Sequence, residues 1–254
     1  MVTKVAVVTG SNKARDESRG RAAVKLLEQE GLNPKFHLLD ITCSESIKTF
    51  AFFLKAKYDG LDVLVNNAAI AYKVADTTPF SEQAENTIKI NVFATLNVCH
   101  HLFPLLRPHA RVVNVSSSAG KLSRISGKEL QQKFLSEDLT EDELCALMKQ
   151  FVEDAKTGVH EVKGWGSSAY CVSKVGLNAL TFIQHRKFLE DPRPDIVINA
   201  VHPGYVDTDM SSHKGPLTPD QGAEAPTYCA LLPPNINSPR GQFIWNDKTI
   251  TPWL

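Results

Sequence analysis

Val5-Ala6-Val7-Val8-Thr9-Gly10-Ser11-Asn12 is the stretch that decides the fold. A short β-branched run closed by small and polar residues is the pattern of a fully buried parallel strand ending in a turn. Parallel strands need crossovers, and the next segment supplies one. From about Asp16 to Gln29, apolar Ala22, Ala23, Leu26 and Leu27 recur at helical spacing, with Gly31 as a stop and Pro34 beyond it. Phe36-His37-Leu38-Leu39 reads as the next strand, and Ser44 ahead of Ile47, Ala51 and Leu54 starts another helix.

The alternation continues with a strand at Val63-Leu64-Val65, a long helix around 82–105, and a strand at Val112-Val113-Asn114-Val115. A helix from about Ser168 to Arg186 and a strand at Ile196–Ala200 follow. Strands alternating with helices predict a parallel sheet covered on both faces, a Rossmann-like, doubly wound α/β fold. With no internal repeat and no linker rich in Gly, Ser or Pro, residues 1–254 read as one domain. Some fifty residues separate the strand at 112–115 from the helix near 168, more than a crossover loop needs. Thr140-Glu141-Asp142-Glu143 is a capping box, and Leu144, Leu147, Met148, Phe151 and Val152 follow on one helical face, so a helical insertion over about 120–160 packs on the body.

Composition narrows the function. The 254 residues are 43% hydrophobic and 22% charged, which excludes collagen-like and wholly disordered chains. Lys+Arg 28 balance Asp+Glu 28, so no global field recruits nucleic acid or an anionic membrane. Five scattered cysteines (Cys43, Cys99, Cys145, Cys171, Cys229) without a C-x-x-C pair, and eight histidines without ligand spacing, argue against a disulfide framework or a metal site. No apolar run approaches the roughly 20 residues of a membrane span. The expected setting is cytoplasmic.

In an open parallel sheet, ligands bind beyond the carboxyl ends of the strands, near the point where strand order reverses. The small and polar residues of Thr9–Lys13, Asp40, Asn66–Ala69, Ser116–Ser118 and Pro203-Gly204 fall at such ends and describe a crevice floor. Tyr170 and Lys174 stand four apart, on one helical face, where an ammonium can lower a phenol's pKa and ready it to donate a proton. A Tyr-x-x-x-Lys arises by chance about once in several hundred residues and is ordinarily a surface pair. Its companions give it weight.

N-N-A-A at 66–69, N-V-S-S at 114–117, Y-C-V-S-K at 170–174 and P-G-Y-V-D-T at 203–208 stand in the order of the short-chain dehydrogenase/reductase family, which the chain resembles. K-V-A-D-T-T-P-F at 73–80, the capping-box insertion and A-L-L-P-P at 230–234 extend the likeness to the family's monomeric, NADPH-dependent carbonyl reductases. The resemblance implies reduction of ketones, aldehydes or quinones, with Tyr170 as general acid. Lys174 is its electrostatic partner and ribose ligand, Ser117 polarises the carbonyl, and Asn91 organises a proton-relay water. Ser116 and Ser118 compete for the serine's role; the second serine of N-x-S-S is the family's. The cofactor would lie against Gly10, Asn12, Lys13, Arg15, Asp40, Ile41, Asn67, Ala68, Tyr170, Lys174, Pro203, Gly204, Val206, Asp207 and Thr208. The substrate would meet Ser117 and Tyr205, with Tyr72, Lys73, Val74 and Gln83 at a rim where some relatives hold glutathione-type substrates; Trp165 is a packing residue or part of the pocket wall. The implied state is a monomer with a small-molecule partner and no metal. His202 stands where close relatives carry a cysteine.

The likeness fails at one place. The family's T-G-x-x-x-G-x-G should start at Thr9, but its second and third glycine positions hold Ala14 and Asp16. Against the family pattern one βα unit of about twenty residues, the first helix and second strand, is missing after Lys13. Lys13 and Arg15, whose counterparts clasp the 2′-phosphate from separate loops, sit two apart. NADPH remains the implied cofactor, since no acidic residue ends the strand where a ribose ligand would exclude the phosphate. The alternative is a truncated, non-catalytic variant that has lost cofactor binding.

Overall fold

The computed structural model describes residues 4–10 and 15–254. Five strands form one parallel sheet in the order β1 (Ala6–Val8), β2 (Leu61–Asn66), β3 (Leu106–Val115), β4 (Val197–Val201) and β5 (Phe243–Ile244). Between them run α1 (Glu17–Gln29), α2 (Ser44–Tyr58), α3 (Phe80–Ile88), α4 (Thr95–Leu102), α5 (Lys128–Leu135), α6 (Glu141–Lys156), α7 (Ala169–Leu189) and α8 (Pro219–Ala230). The alternating α/β reading holds, and α8 and β5 are elements that the sequence reading did not isolate.

Side chains on adjacent strand positions face opposite ways. Val7, Leu64, Val112 and Ile198 pack on Ile47, Phe50 and Leu54 of α2 and Val98 and Leu102 of α4. Val65, Val113, Val201 and Ile244 turn to the other face, where they meet Ala225 and Cys229 of α8. Each such side chain withdrawn from water contributes about 2 kcal/mol before entropy is counted.

The insertion forms as expected. Thr140 Oγ1 accepts from the Glu143 amide while the Glu143 carboxylate accepts from the Thr140 amide, completing the capping box of α6. Leu144, Met148, Phe151 and Val152 then bury against α3 and α7. Trp165 is a core residue: its indole N–H donates to Asp154 Oδ2 at 2.9 Å and its ring packs on Phe134 and Phe151.

Two expectations are corrected. The helix expected over 82–105 is interrupted by a π-helical turn at Lys89–Ala94, which carries Asn91. Phe36–Leu39 forms no strand: the segment joins no ladder, and β1 pairs directly with β2. The strand order therefore runs 1-2-3-4-5 without the reversal that was expected to mark the ligand site. Leu39 and Ile41 bury beside Val5 and Val7, so the segment packs by its side chains rather than by backbone pairing.

The consequence is an uncovered flank. Val8 at the end of β1 is 50% exposed, and among the described residues the helix covering this sheet face is α8. Helix α1 does not fill the space. Gly20, its one buried residue, lies against Phe36, where an added Cβ would fall 2.0 Å from the ring, and Leu26 is 62% exposed. An element held by so few apolar contacts opens at little cost. Amides of α1 are expected to exchange with solvent orders of magnitude faster than those of α7, and Phe36→Ala is expected to move the melting temperature by less than about 2 °C. Protection of α1 equal to that of α7 in hydrogen exchange would contradict this placement.

Candidate active site

A buried hydrogen-bond chain locates the site. The Asn66 amide, at the end of β2, donates to Asn114 Oδ1 at 2.8 Å, and Asn114 donates to Thr181 Oγ1 on α7 at 2.9 Å. Both asparagines belong to the quoted motifs, so those motifs act first by tying two strands to the helix that bears Tyr170 and Lys174. Helix α7 starts where Ser168 Oγ accepts from the Cys171 amide, which puts Tyr170 in its first turn at the carboxyl end of β3.

A cavity of about 1000 Å³ lies over these strand ends. Of the proposed residues it brings together Gly10, Arg15, Asp40, Ile41, Asn67, Ala68, Ser117, Tyr170, Lys174, Pro203, Gly204, Tyr205, Val206 and Thr208. Its floor is built closely. Thr9 Oγ1 accepts from the amides of Asn67 and Ala68, both at 3.1 Å, and the Asn67 side chain donates to the Thr9 carbonyl. Gly10 has φ +74°, and a Cβ there would stand 2.5 Å from Ala68 Cα, so the turn requires glycine for both conformation and space.

Asn12 and Lys13 lie outside the described residues. Asp207 does not line the cavity; its carboxylate is bonded to His213 instead. The rim residues do not line the cavity, although Ile70 and Ala71 just before them do. Tyr72 Oη accepts from Asn86, Gln83 donates to the Thr78 carbonyl, Val74 is fully exposed, and neither they nor Lys73 reach the cavity wall. Within their loop Asp76 accepts from the Thr78 amide.

Asn91 is buried but also off the wall. Its amide donates to the Ile70 carbonyl at 2.9 Å and to Ser173 Oγ at 3.0 Å, and its oxygen accepts from the Ile70 amide. The side chain thus holds Ile70 against Ser173 of α7.

The reacting groups converge from two elements. Ser117 caps a 3-10 turn after β3, accepting from the Ala119 amide, and its side chain lies beside the Tyr170 phenol, near enough to favour loss of the phenol's proton. That contact selects it over Ser116, whose buried Oγ makes no hydrogen bond. Lys174 is buried, donates to the Val115 carbonyl at 2.8 Å, and holds its ammonium 5.6 Å from the Tyr170 ring centre.

Burial pushes the Tyr170 phenol above its ordinary pKa, with the Ser117 contact pulling the other way. Burial also draws the Lys174 ammonium down to about 8. Burial dominates the phenol, and the expected lowering by its lysine is not seen. A phenol that keeps its proton at neutral pH is a competent acid for an oxyanion formed beside it. Asp40 feels burial upward, but the Thr42 hydroxyl and amide and the charge of Arg15 outweigh it and hold its carboxyl below the usual range.

Residues 4–128 match the family described as short chain dehydrogenase. The chain belongs to the short-chain dehydrogenase family: it is 50% identical to carbonyl reductase (NADPH) 1 of Rattus norvegicus across 98% of each chain. It is 49% identical to carbonyl reductase (NADPH) 1 of Homo sapiens, and 48% identical to carbonyl reductase (NADPH) 3 of Rattus norvegicus over 99% of each. The alignment to the first spans 272 positions, more than the 254 residues present, so that relative carries residues this chain lacks. Among solved structures, salutaridine reductase from Papaver somniferum superposes with a TM-score of 0.85 at 30% identity, covering 95% of this chain and 99% of its own.

Tyr170→Phe is expected to lower carbonyl reduction roughly 10²- to 10⁴-fold while leaving NADPH affinity within a few-fold, since the lost proton acts only in the chemical step. In the unmodified enzyme the Lys174 charge is present below its folded pKa and lost above it, so kcat is expected to fall as pH rises through about 8. Near-normal turnover by Tyr170→Phe in a steady-state assay would remove the phenol from the mechanism.

Proposed function

We propose that residues 1–254 act as one dinucleotide-binding and catalytic unit that reduces ketones, aldehydes or quinones to alcohols with NADPH. The observation that carries this reading is the convergence of the Ser117 and Tyr170 hydroxyls, beside buried Lys174, in a cavity large enough for a cofactor and a substrate.

The nicotinamide half of the cavity fits the cofactor. Asn67, Ala68, Pro203, Gly204, Val206 and Thr208 would hold it, with Tyr170 and Lys174 at its ribose. NADPH supplies the hydride when bound. The chain's own residues manage the charge that results: Ser117 and Tyr170 donate hydrogen bonds to the developing alkoxide, and the phenol delivers its proton. Lys174 stabilises the phenolate left behind, and Tyr205 shapes the substrate side. Asn91 acts at one remove, by positioning Ile70 and the start of α7.

The pyrophosphate half fits less well. A helix N-terminus facing an anion offers free amides. Here Asp16 caps α1 with its own carboxylate, accepting from the Arg19 amide at 3.0 Å, and Glu17 stands next to it. Arg15 is the described cation at this end of the cavity.

The setting is a cytoplasmic monomer; among the described residues no helix is long and apolar enough to cross a membrane. Support for the monomer comes from α6, whose apolar stripe covers α3 and α7. NADPH oxidation by the purified chain with a small ketone or quinone, at millimolar NADPH, is expected to exceed background and to vanish in Tyr170→Phe. Background rates with every carbonyl tested would favour the non-catalytic reading. Light scattering at micromolar concentration is expected to give one chain per particle, and a stable dimer would count against the monomer.

A further inference from the structure

One wall of the cavity is the loop after β4, and an imidazole grips that wall from outside. Val206, Thr208, Met210 and Ser211 line the cavity. The loop folds on itself: Ser211 Oγ donates to the Val206 carbonyl at 2.6 Å and accepts from the Thr208 amide at 3.0 Å, and the His213 amide donates to the Thr208 carbonyl at 3.0 Å. To close it, Ser212 and His213 adopt φ of +54° and +58°, successive left-handed conformations that residues with a Cβ resist. His213 then reaches two carboxylates, with Nδ1 2.7 Å from Asp207 Oδ1 and Nε2 3.2 Å from Asp209 Oδ1.

We propose that His213 is a positioning residue whose two-sided grip on Asp207 and Asp209 holds the Val206–Ser211 wall in its cofactor-binding shape, making NADPH affinity dependent on pH. The inference rests on the cofactor reading above. Its chemistry is simple. Only the imidazolium carries N–H donors on both nitrogens; the neutral ring has one donor and would present a lone pair to the other carboxylate. The charged form also offsets two negative charges behind a wall of the cavity that would take the anionic cofactor.

Asp207 and Asp209 are the charged groups that face the ring, and Lys214, next in the chain, is not paired with it. Bonds to those carboxylates raise the imidazole's pKa. The sign follows: the grip is complete below the ordinary histidine range and is lost as pH rises through the raised value, so affinity falls with rising pH.

The test is a titration of the full chain with NADPH, followed by nicotinamide fluorescence, at about pH 6 and about pH 8.5. Wild type, His213→Gln and His213→Lys are compared, so that titration of the cofactor's own phosphate is common to all three. The expected result is a loss of about fivefold in affinity for wild type beyond that of His213→Gln, the upper range for exposed ion pairs. At the higher pH His213→Gln should bind as wild type does, and at the lower one about fivefold more weakly. His213→Lys, charged throughout, should stay within about twofold of wild type at the lower one. With NADPH saturating, kcat at either pH should be the same in all three, so that its fall through about pH 8 is common to them and the His213 effect lies on binding alone. Parallel pH profiles for wild type and His213→Gln would overturn the proposal while leaving the cofactor reading intact. Absence of NADPH binding at both pH values in all three proteins would overturn the cofactor reading, and this proposal with it.

Discussion

The Asn66–Asn114–Thr181 chain of buried hydrogen bonds is the constraint on which the rest of the site depends. A buried amide left without a partner costs about 1–3 kcal/mol, a sizeable share of a domain's net stability, so the folded state favours the complete chain. Once formed, it sets the register of α7 against β2 and β3. That register delivers Lys174 to the Val115 carbonyl and Tyr170 to Ser117. Asn91 repeats the device from the π-helical turn, joining Ile70 to Ser173. Reactive side chains are thus held by polar contacts beneath the sheet's rim, where water cannot compete.

The amino-terminal flank lacks such a constraint. Strand β1 is fastened to β2 by its ladder and by Thr9, but its outer edge and its Val8 face have no described cover. With the strand at 36–39 absent, α1 has no sheet face beneath it and rests on Phe36. The molecule therefore combines a well-fastened catalytic half with a loosely held cofactor entrance.

The regular core was legible because its signals are local and redundant. β-Branched runs, the capping box at Thr140 and the spacing of Tyr170 and Lys174 each depend on near neighbours, and the structure bears them out. Phe36–Leu39 misled for the opposite reason: its composition suits a strand, but a strand exists only when a partner edge accepts it, and no single-segment pattern reports that. The long helix through Asn91 looked continuous because periodicity does not register an inserted π turn. Tyr72, Lys73, Val74 and Gln83 were placed by likeness alone, and a loop folded on its own Asp76 carries no sequence signal of which way it faces. Asn66, Asn114 and Thr181 were open to inference: a polar residue within a β-branched run, such as Asn114 in Val112–Val115, signals a buried hydrogen bond.

The central claim is that the catalytic constellation is intact while the pyrophosphate cradle, among the described residues, consists of Gly10, Arg15 and the Asp16-capped start of α1. It is tested most directly by measuring the NADPH dissociation constant of this chain beside that of a version with a glycine-rich turn, helix and strand of the family pattern inserted after Lys13. The account predicts binding weaker by at least an order of magnitude in the unmodified chain, with matching kcat once both are saturated. Equal, low-micromolar dissociation constants for the two proteins would contradict it.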